Sequence, residues 1–220
     1  FLKDFAAHLR QKGWFEKTCI AMDERGLSAM NDAYRISQQA VPGIKMALAG
    51  NYHASLVDKL YDYCVAYGQR FTPEDLALRR SRGWVTTTYT ACPDSMPNVC
   101  SNNMPSESAY LPIYCIANGF NGFLRWAWMN WTDDPLHDTR FRMFTAGDTY
   151  MEIGGQIDDR FERIIEGVEA AEKCRILRAE YEASHQDEKL RRLNAAIQLF
   201  QSGKLETDKT AAQMRSPCSQ

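Results

Sequence analysis

Thr18-Cys19-Ile20-Ala21-Met22-Asp23-Glu24-Arg25 is a short apolar run that ends abruptly in two adjacent carboxylates. A helix-like segment precedes it, with Leu2, Phe5, Ala6 and Leu9 at helical spacing and Gly13 as a C-terminal stop. A buried strand that delivers acids to its C-terminal end is how barrel enzymes build active sites. It is also how many strands simply emerge into water. The remainder of the chain has to decide between the two.

Downstream, the pattern alternates. Gly26 follows the acids, and Leu27 to Ala40 resumes a helical period through Met30, Ala33, Tyr34 and Ile36, broken by Val41-Pro42-Gly43. Ile44 to Ala49 is a second short apolar run, closed by Gly50-Asn51-Tyr52-His53. Leu56 to Tyr67 again follows a period near 3.6 and predicts a helix. Thr72-Pro73-Glu74-Asp75 has the form of a helix N-cap with proline in the first turn, leading a helix to Arg82. Trp84 to Thr90, β-branched and aromatic, is the most strand-like stretch.

Cys92 to Pro105 is a loop rich in Pro, Ser and Asn, and loops of this length are more often functional than decorative. A helix is predicted over Ser106–Asn118, a fourth strand over Gly122–Trp128 and a fifth over Asp148–Ile153. A long helix runs from Asp158 to about Leu177, a charged helical stretch continues over Arg178–Leu199, and Glu206–Gln220 reads as a frayed tail. This division gives a domain over 1–178 and a charged extension over 179–220. Strand–helix alternation argues for an α/β fold with a parallel sheet covered by helices. Four or five strands fit a small doubly wound sheet or the second half of an eight-stranded barrel. No glycine-rich phosphate loop follows any strand, which counts against the nucleotide-binding version.

Composition narrows the function classes. The chain has 220 residues, 45% hydrophobic and 11% aromatic, enough for a sizeable core and incompatible with wholesale disorder. A net charge of −2 offers no electrostatic case for nucleic acid or an anionic membrane, and no apolar run reaches the length of a membrane span. The chain opens on Phe1 inside a helical pattern, so further residues are expected upstream and targeting cannot be read from it. The seven cysteines include no CxxC and no histidine at finger spacing, so most are expected to be buried thiols rather than zinc ligands. Cys92 and Cys100 share one loop and could pair in an oxidising compartment.

Two groups of residues could carry chemistry. Asp23 and Glu24 would point to opposite faces of a regular strand, so both reach one substrate only where the strand is ending. Carboxylates held close separate in pKa, which helps one serve as a general acid. The alternative is a solvated turn. In the second group Leu124, Trp126 and Trp128 share a face by period 2, with Arg125 on the other, and Trp131, Asp133, Asp134 and Asp138 follow at once. Aromatic faces beside carboxylates suit sugars, although Trp126 and Trp128 could equally be core, and Trp131 is the better platform. Asn51, Tyr52, His53 and Tyr89 lie where a C-terminal rim would be, though a lone histidine after a strand is more often structural.

These pieces form an ordered set: Ile20-Ala21-Met22-Asp23-Glu24-Arg25, Thr86-Thr87-Thr88-Tyr89-Thr90-Ala91-Cys92, Met96-Pro97-Asn98, Asn121-Gly122-Phe123-Leu124-Arg125-Trp126-Ala127, Asp133-Asp134-Pro135, Asp138-Thr139-Arg140-Phe141, Gly147-Asp148-Thr149-Tyr150 and Arg160-Phe161-Glu162-Arg163. The set resembles the catalytic domain of glycoside hydrolase family 123, long labelled a domain of unknown function, from Lys12 to Arg178. The resemblance implies a (β/α)8 barrel of which this chain holds strands 4 to 8, the upstream half lying outside it, and a secreted or periplasmic protein. It also implies hydrolysis of β-linked N-acetylgalactosamine with retention, by substrate assistance, without metal or other cofactor. Asp23 and Glu24 match the family's acid pair: Glu24 as general acid and then base, Asp23 holding the 2-acetamido group whose oxygen attacks the anomeric carbon. Relatives carry Tyr-Pro-Gly and then Ser-Ser-Ile-Arg where this chain has Ile153-Gly154-Gly155-Gln156-Ile157-Asp158-Asp159-Arg160, so the rim there differs. A rival reading is a carbohydrate-binding or scaffold protein on a degenerate barrel, with Trp131 and the Asp133–Asp138 loop holding sugar uncleaved.

Overall fold

The computed structural model describes residues 1–91 and 97–201. Cys92, Met96, Cys218 and the expected tail, and with them the Cys92–Cys100 pairing, lie outside the described residues. The chain forms two compact units, Phe1–Tyr89 and Thr90–Gln220.

The first unit is a parallel sheet with its strands in chain order. Helix α1 (Leu2–Gln11) leads to β1 (Cys19–Asp23), α2 (Leu27–Ala40), β2 (Lys45–Gly50), β3 (Asp62–Ala66), α3 (Pro73–Ser81) and β4 (Val85–Tyr89). β1 pairs with β2, β2 with β3 and β3 with β4, all parallel. Two faces follow from strand alternation. Met46, Leu48, Tyr63, Val65, Thr86 and Thr88 are buried on one face, which with Met30, Leu56 and Leu60 makes the core. Thr88 is tolerated there because its hydroxyl donates to the Val65 carbonyl at 2.9 Å. The other face carries Ala21, Asp23, Ala47, Ala49, Cys64, Thr87 and Tyr89, mostly small residues that are partly open to solvent.

The helix predicted over Leu56–Tyr67 is not formed. A 3-10 turn at Ala54–Leu56 and one further turn give way to β3. The reason is a side chain remote in sequence. Arg79, fully buried in the last turn of α3, donates from Nη1 to the carbonyls of Val57 (2.9 Å) and Leu60 (2.7 Å) and from Nη2 to that of Tyr61 (3.2 Å). Its Nη2 also reaches the Val85 carbonyl, and its Nε donates to Thr86 Oγ1 at 2.7 Å. Carbonyls that a helix would spend on its own N–H groups are spent on the guanidinium. Tyr61 N then donates to the Met46 carbonyl at 2.9 Å, and the chain enters the sheet. Burial lowers the Arg79 pKa to about 10, so it remains charged at neutral pH. α3 itself begins as read, with Thr72 and Asp75 forming a reciprocal capping box.

In the second unit α4 (Pro105–Ala117) packs on α5 (Asp159–Ala183), and α6 (Asp187–Gln198) folds back on both. The two backbones approach closely at Gly167, where a Cβ would stand 2.4 Å from the Ala109 carbonyl oxygen. The helix read as continuous to Leu199 is divided at Ser184–Gln186, where His185 takes a φ of 54°. The strand predicted to Trp128 stops early: β5 is Gly122–Leu124, because Arg125 turns inward to a buried ion pair with Asp148 (3.2 Å). Of the strand read over Asp148–Ile153, Glu152–Ile153 (β6) forms a strand, paired antiparallel with Gln156–Ile157 (β7), and Tyr150 makes an isolated antiparallel bridge with Met129. Gly154 and Gly155, at φ 57° and 87°, supply the turn, as two-residue hairpins require.

Replacing Arg79 by Lys keeps the charge but loses the five-donor fork, leaving buried carbonyls short of donors. Denaturant unfolding of Arg79→Lys should show a loss of about 3 kcal/mol.

Candidate functional site

The C-terminal ends of β1 to β4 bring together three residues singled out in the sequence. Asp23 closes β1, opposite Ala49 of β2, which pairs with Cys64 and that in turn with Thr87. Tyr89, two residues past Thr87, therefore stands on the same face as Asp23. Glu24 is the next residue after Asp23, and alternation would send it to the covered face. It escapes by taking a φ of 45°, the left-handed region that costs a non-glycine residue energy. Its N–H still donates to the Ala49 carbonyl at 2.7 Å. Its carboxylate accepts from the Tyr89 hydroxyl at 3.0 Å (Oε1), so both acids lie over one face. Burial first, and the hydrogen bond to Glu24 second, push the Tyr89 phenol well above its ordinary pKa. Tyr89 thus stands as a neutral hydroxyl donor to Glu24 at neutral pH.

Gly50 closes β2 beside this turn, where an added Cβ would stand 3.5 Å from Glu24 Cα. Asn51, Tyr52 and His53 follow. Asn51 Oδ1 accepts from Gln69 Nε2 (2.6 Å), and Gln69 Oε1 accepts in turn from the Tyr52 N–H. The Tyr63 hydroxyl donates to the Asn51 carbonyl (2.7 Å) and accepts from the His53 N–H (2.7 Å). The Tyr52 hydroxyl donates to Asp75 Oδ2 (2.8 Å), and its ring packs edge-on against Phe71. Tyr52 is thereby committed to the fold and Asn51 held in place. Gln69 and Tyr63, which do the holding, were not singled out in the sequence; the Gly68 turn just past β3 was the available signal for Gln69.

Trp126, Trp128, Trp131, Asp133 and Asp138 belong to the second unit. The Trp126 indole N–H donates to Asp148 Oδ2 (3.2 Å), and its ring lies 4.9 Å from that of Phe144. Trp128 packs edge-on against Phe161. Asp138 is tied at the surface through one oxygen: its Oδ1 accepts from Arg140 Nε (3.1 Å) and N (3.0 Å), which lowers its pKa, and its carbonyl accepts from the Thr132 hydroxyl. Trp131 and Asp133 are both exposed. Asp148, read in the sequence as part of the Gly147–Tyr150 motif and not as a site residue, has its Oδ1 on Arg125 and 3.8 Å from Cys100 Sγ. Among the described residues, no three His, Cys, Asp or Glu side chains converge as a metal site requires, and no helix is long and apolar enough to cross a membrane.

The family model described as "Glycoside hydrolase 123, catalytic domain" matches residues 1–177. Among solved structures, a family 123 glycoside hydrolase from Clostridium perfringens, reported for glycolipid glycan hydrolysis, superposes with a TM-score of 0.77 at 25% identity. The alignment covers 92% of this chain and 37% of that one, so the chain spans a little over a third of its structural relative. A comparison with curated protein sequences finds no match.

Burial raises the Tyr63 pKa to about 12 from an ordinary value near 10. A raised folded-state pKa means stability that is complete below the unfolded value and lost as pH climbs through the folded one. Unfolding free energy should therefore fall between pH 10 and about 12, and Tyr63→Phe should flatten that part of the profile.

Proposed function

Because the chain belongs to the glycoside hydrolase 123 catalytic-domain family, we propose that the protein carrying it cleaves β-linked N-acetylgalactosamine from glycan chains, with retention and by substrate assistance. The single observation that carries this reading is the Asp23–Glu24 turn, in which a left-handed Glu24 puts two adjacent carboxylates over one sheet face with Tyr89 bonded to the second. The similar enzyme from Clostridium perfringens is reported for glycolipid glycan hydrolysis. A terminal N-acetylgalactosamine on such a glycan is the substrate class we propose here.

The fold proposed with it is a (β/α)8 barrel whose strands 4 to 8 are β1 to β5. Parallel strands in strict chain order, with no reversal, support a barrel over a doubly wound sheet. Active sites of such barrels gather at the C-terminal ends of the strands, where Asp23, Glu24, Asn51 and Tyr89 stand.

The reaction runs in two halves. In the first, the protonated Glu24 carboxyl gives its proton to the glycosidic oxygen as the bond from the anomeric carbon to that oxygen breaks. The substrate's acetamido oxygen forms the replacing bond to the anomeric carbon, and Asp23 accepts the acetamido N–H, stabilising the positive charge of the cyclic intermediate. In the second, Glu24 takes a proton from water, whose oxygen attacks the anomeric carbon and reopens the ring. The Tyr89 hydroxyl fixes the Glu24 carboxylate between the two halves.

The full-length protein, assayed on aryl β-N-acetylgalactosaminide and β-N-acetylglucosaminide, tests this. Glu24→Gln should lower kcat/KM about a thousandfold and Asp23→Asn about a hundredfold or more. Normal turnover by Glu24→Gln sinks the assignment. Sugar binding by the wild type without release of the aryl group favours the carbohydrate-binding alternative.

A further inference from the structure

In the first unit, the polarity of one side-chain amide beside the acid pair is dictated by a backbone N–H two bonds away from it. Gln69 lies just past β3, where Gly68 turns at a φ of 83° and the Gln69 N–H donates to the Ala66 carbonyl (3.1 Å). Its own carbonyl accepts from Arg70 Nη1 at 2.9 Å. Its side chain bridges Tyr52 and Asn51. A backbone N–H donates and never accepts, so the Tyr52 N–H must face the Gln69 oxygen, Oε1. That leaves Nε2 facing Asn51. Nε2 is a donor, so Asn51 turns its Oδ1 toward it and accepts at 2.6 Å. The Asn51 amide nitrogen, Nδ2, is left over: it bonds to no described residue, and Asn51 is exposed.

We infer that Asn51 Nδ2 donates to an acceptor oxygen of the bound sugar, and that Gln69 is the positioning residue that sets this polarity. The ligand is argued from the place, not from the amide. Asp23 stands opposite Ala49 in the register of β1 and β2, and by the alternation of β2 Asn51, two residues on, falls on the same face. Gly50, between them, lies against Glu24, where an added Cβ would stand 3.5 Å from its Cα. The two strand ends are one strand spacing apart, about 4.8 Å. Asp23, Glu24, Asn51, Gln69 and Tyr89 all belong to the first unit. The two acids offer a sugar acceptors, and its hydroxyl oxygens also take a donor. Tyr89 spends its hydroxyl on Glu24, so of the candidate residues on this face Asn51 Nδ2 is the donor left for the ligand. The inference rests on the glycosidase reading and adds to it a residue, Gln69, that touches no substrate.

Steady-state kinetics of the full-length protein on aryl β-N-acetylgalactosaminide test it. Gln69→Glu keeps the shape and the acceptor for the Tyr52 N–H but has no donor for Asn51, whose amide then turns to present Oδ1 to the sugar. KM should rise about tenfold or more, with kcat within about threefold. Gln69→Met removes both bonds and frees the amide without inverting it, and should raise KM about threefold. A merely structural role predicts the opposite order, because glutamate is the closer mimic of glutamine. Asn51→Ala should raise KM about tenfold, and adding Gln69→Glu to it should cost no more, as expected of a residue that acts through Asn51. A larger KM in Gln69→Met than in Gln69→Glu, or a full Gln69→Glu effect in the Asn51→Ala background, overturns the inference. If Gln69→Glu fails to fold, Asn51→Asp, which shows the sugar acceptors only, decides by whether its KM exceeds that of Asn51→Ala. Lack of wild-type turnover defeats the glycosidase reading instead, and calorimetric titration of the same variants with N-acetylgalactosamine then decides. The same order in Kd supports the inference; equal affinities or no binding overturn it.

Discussion

A buried guanidinium holds the first unit in its topology. Arg79 ties the carbonyls of Val57, Leu60 and Tyr61 to Thr86 and Val85, so the connection from β2 to β3 and the start of β4 are fastened at one point. A charge in a protein core is costly unless its donors are spent, and here the backbone of an irregular segment accepts most of them. Tyr63, Phe71 and Trp84 surround the group with ring faces at 5.5 to 5.7 Å. The entry into β3 and the start of β4 take their positions from that anchor.

What was legible in the sequence follows local physics. The helix over Leu27–Ala40 and the capped helix from Pro73 declare themselves through period and cap chemistry, and the structure has them at the same residues. The strand at Asp62–Ala66 did not. Its neighbours Leu56, Val57 and Leu60 have helical spacing, and the residue that denies them a helix stands nineteen or more positions away. The same kind of remote partner ended the Gly122–Trp128 strand early: Arg125 turns in toward Asp148, twenty-three residues on. Period-based reading has no access to a side chain that arrives from elsewhere in the chain.

The acid pair was legible as residues but not as geometry. Asp23 and Glu24 stand at the end of an apolar run, which the sequence states. That Glu24 crosses to its neighbour's face by a left-handed turn is set by the Ala49 carbonyl on one side and the Tyr89 hydroxyl on the other. A non-glycine residue keeps such a conformation only where its surroundings over-determine it. The aromatic group shows the reverse case. Trp126, Trp128 and Trp131 look alike in sequence, and the buried carboxylate behind Trp126 and the Phe161 ring against Trp128 tell them apart.

The contact at Gly167 has a wider consequence. With the Ala109 carbonyl seated where a side chain would be, α4 and α5 interlock at backbone distance and cannot slide along one another. The pair behaves as a splint. Rearrangement within this unit falls to the loop residues between β5 and β6, while the α4–α5 pair keeps its register.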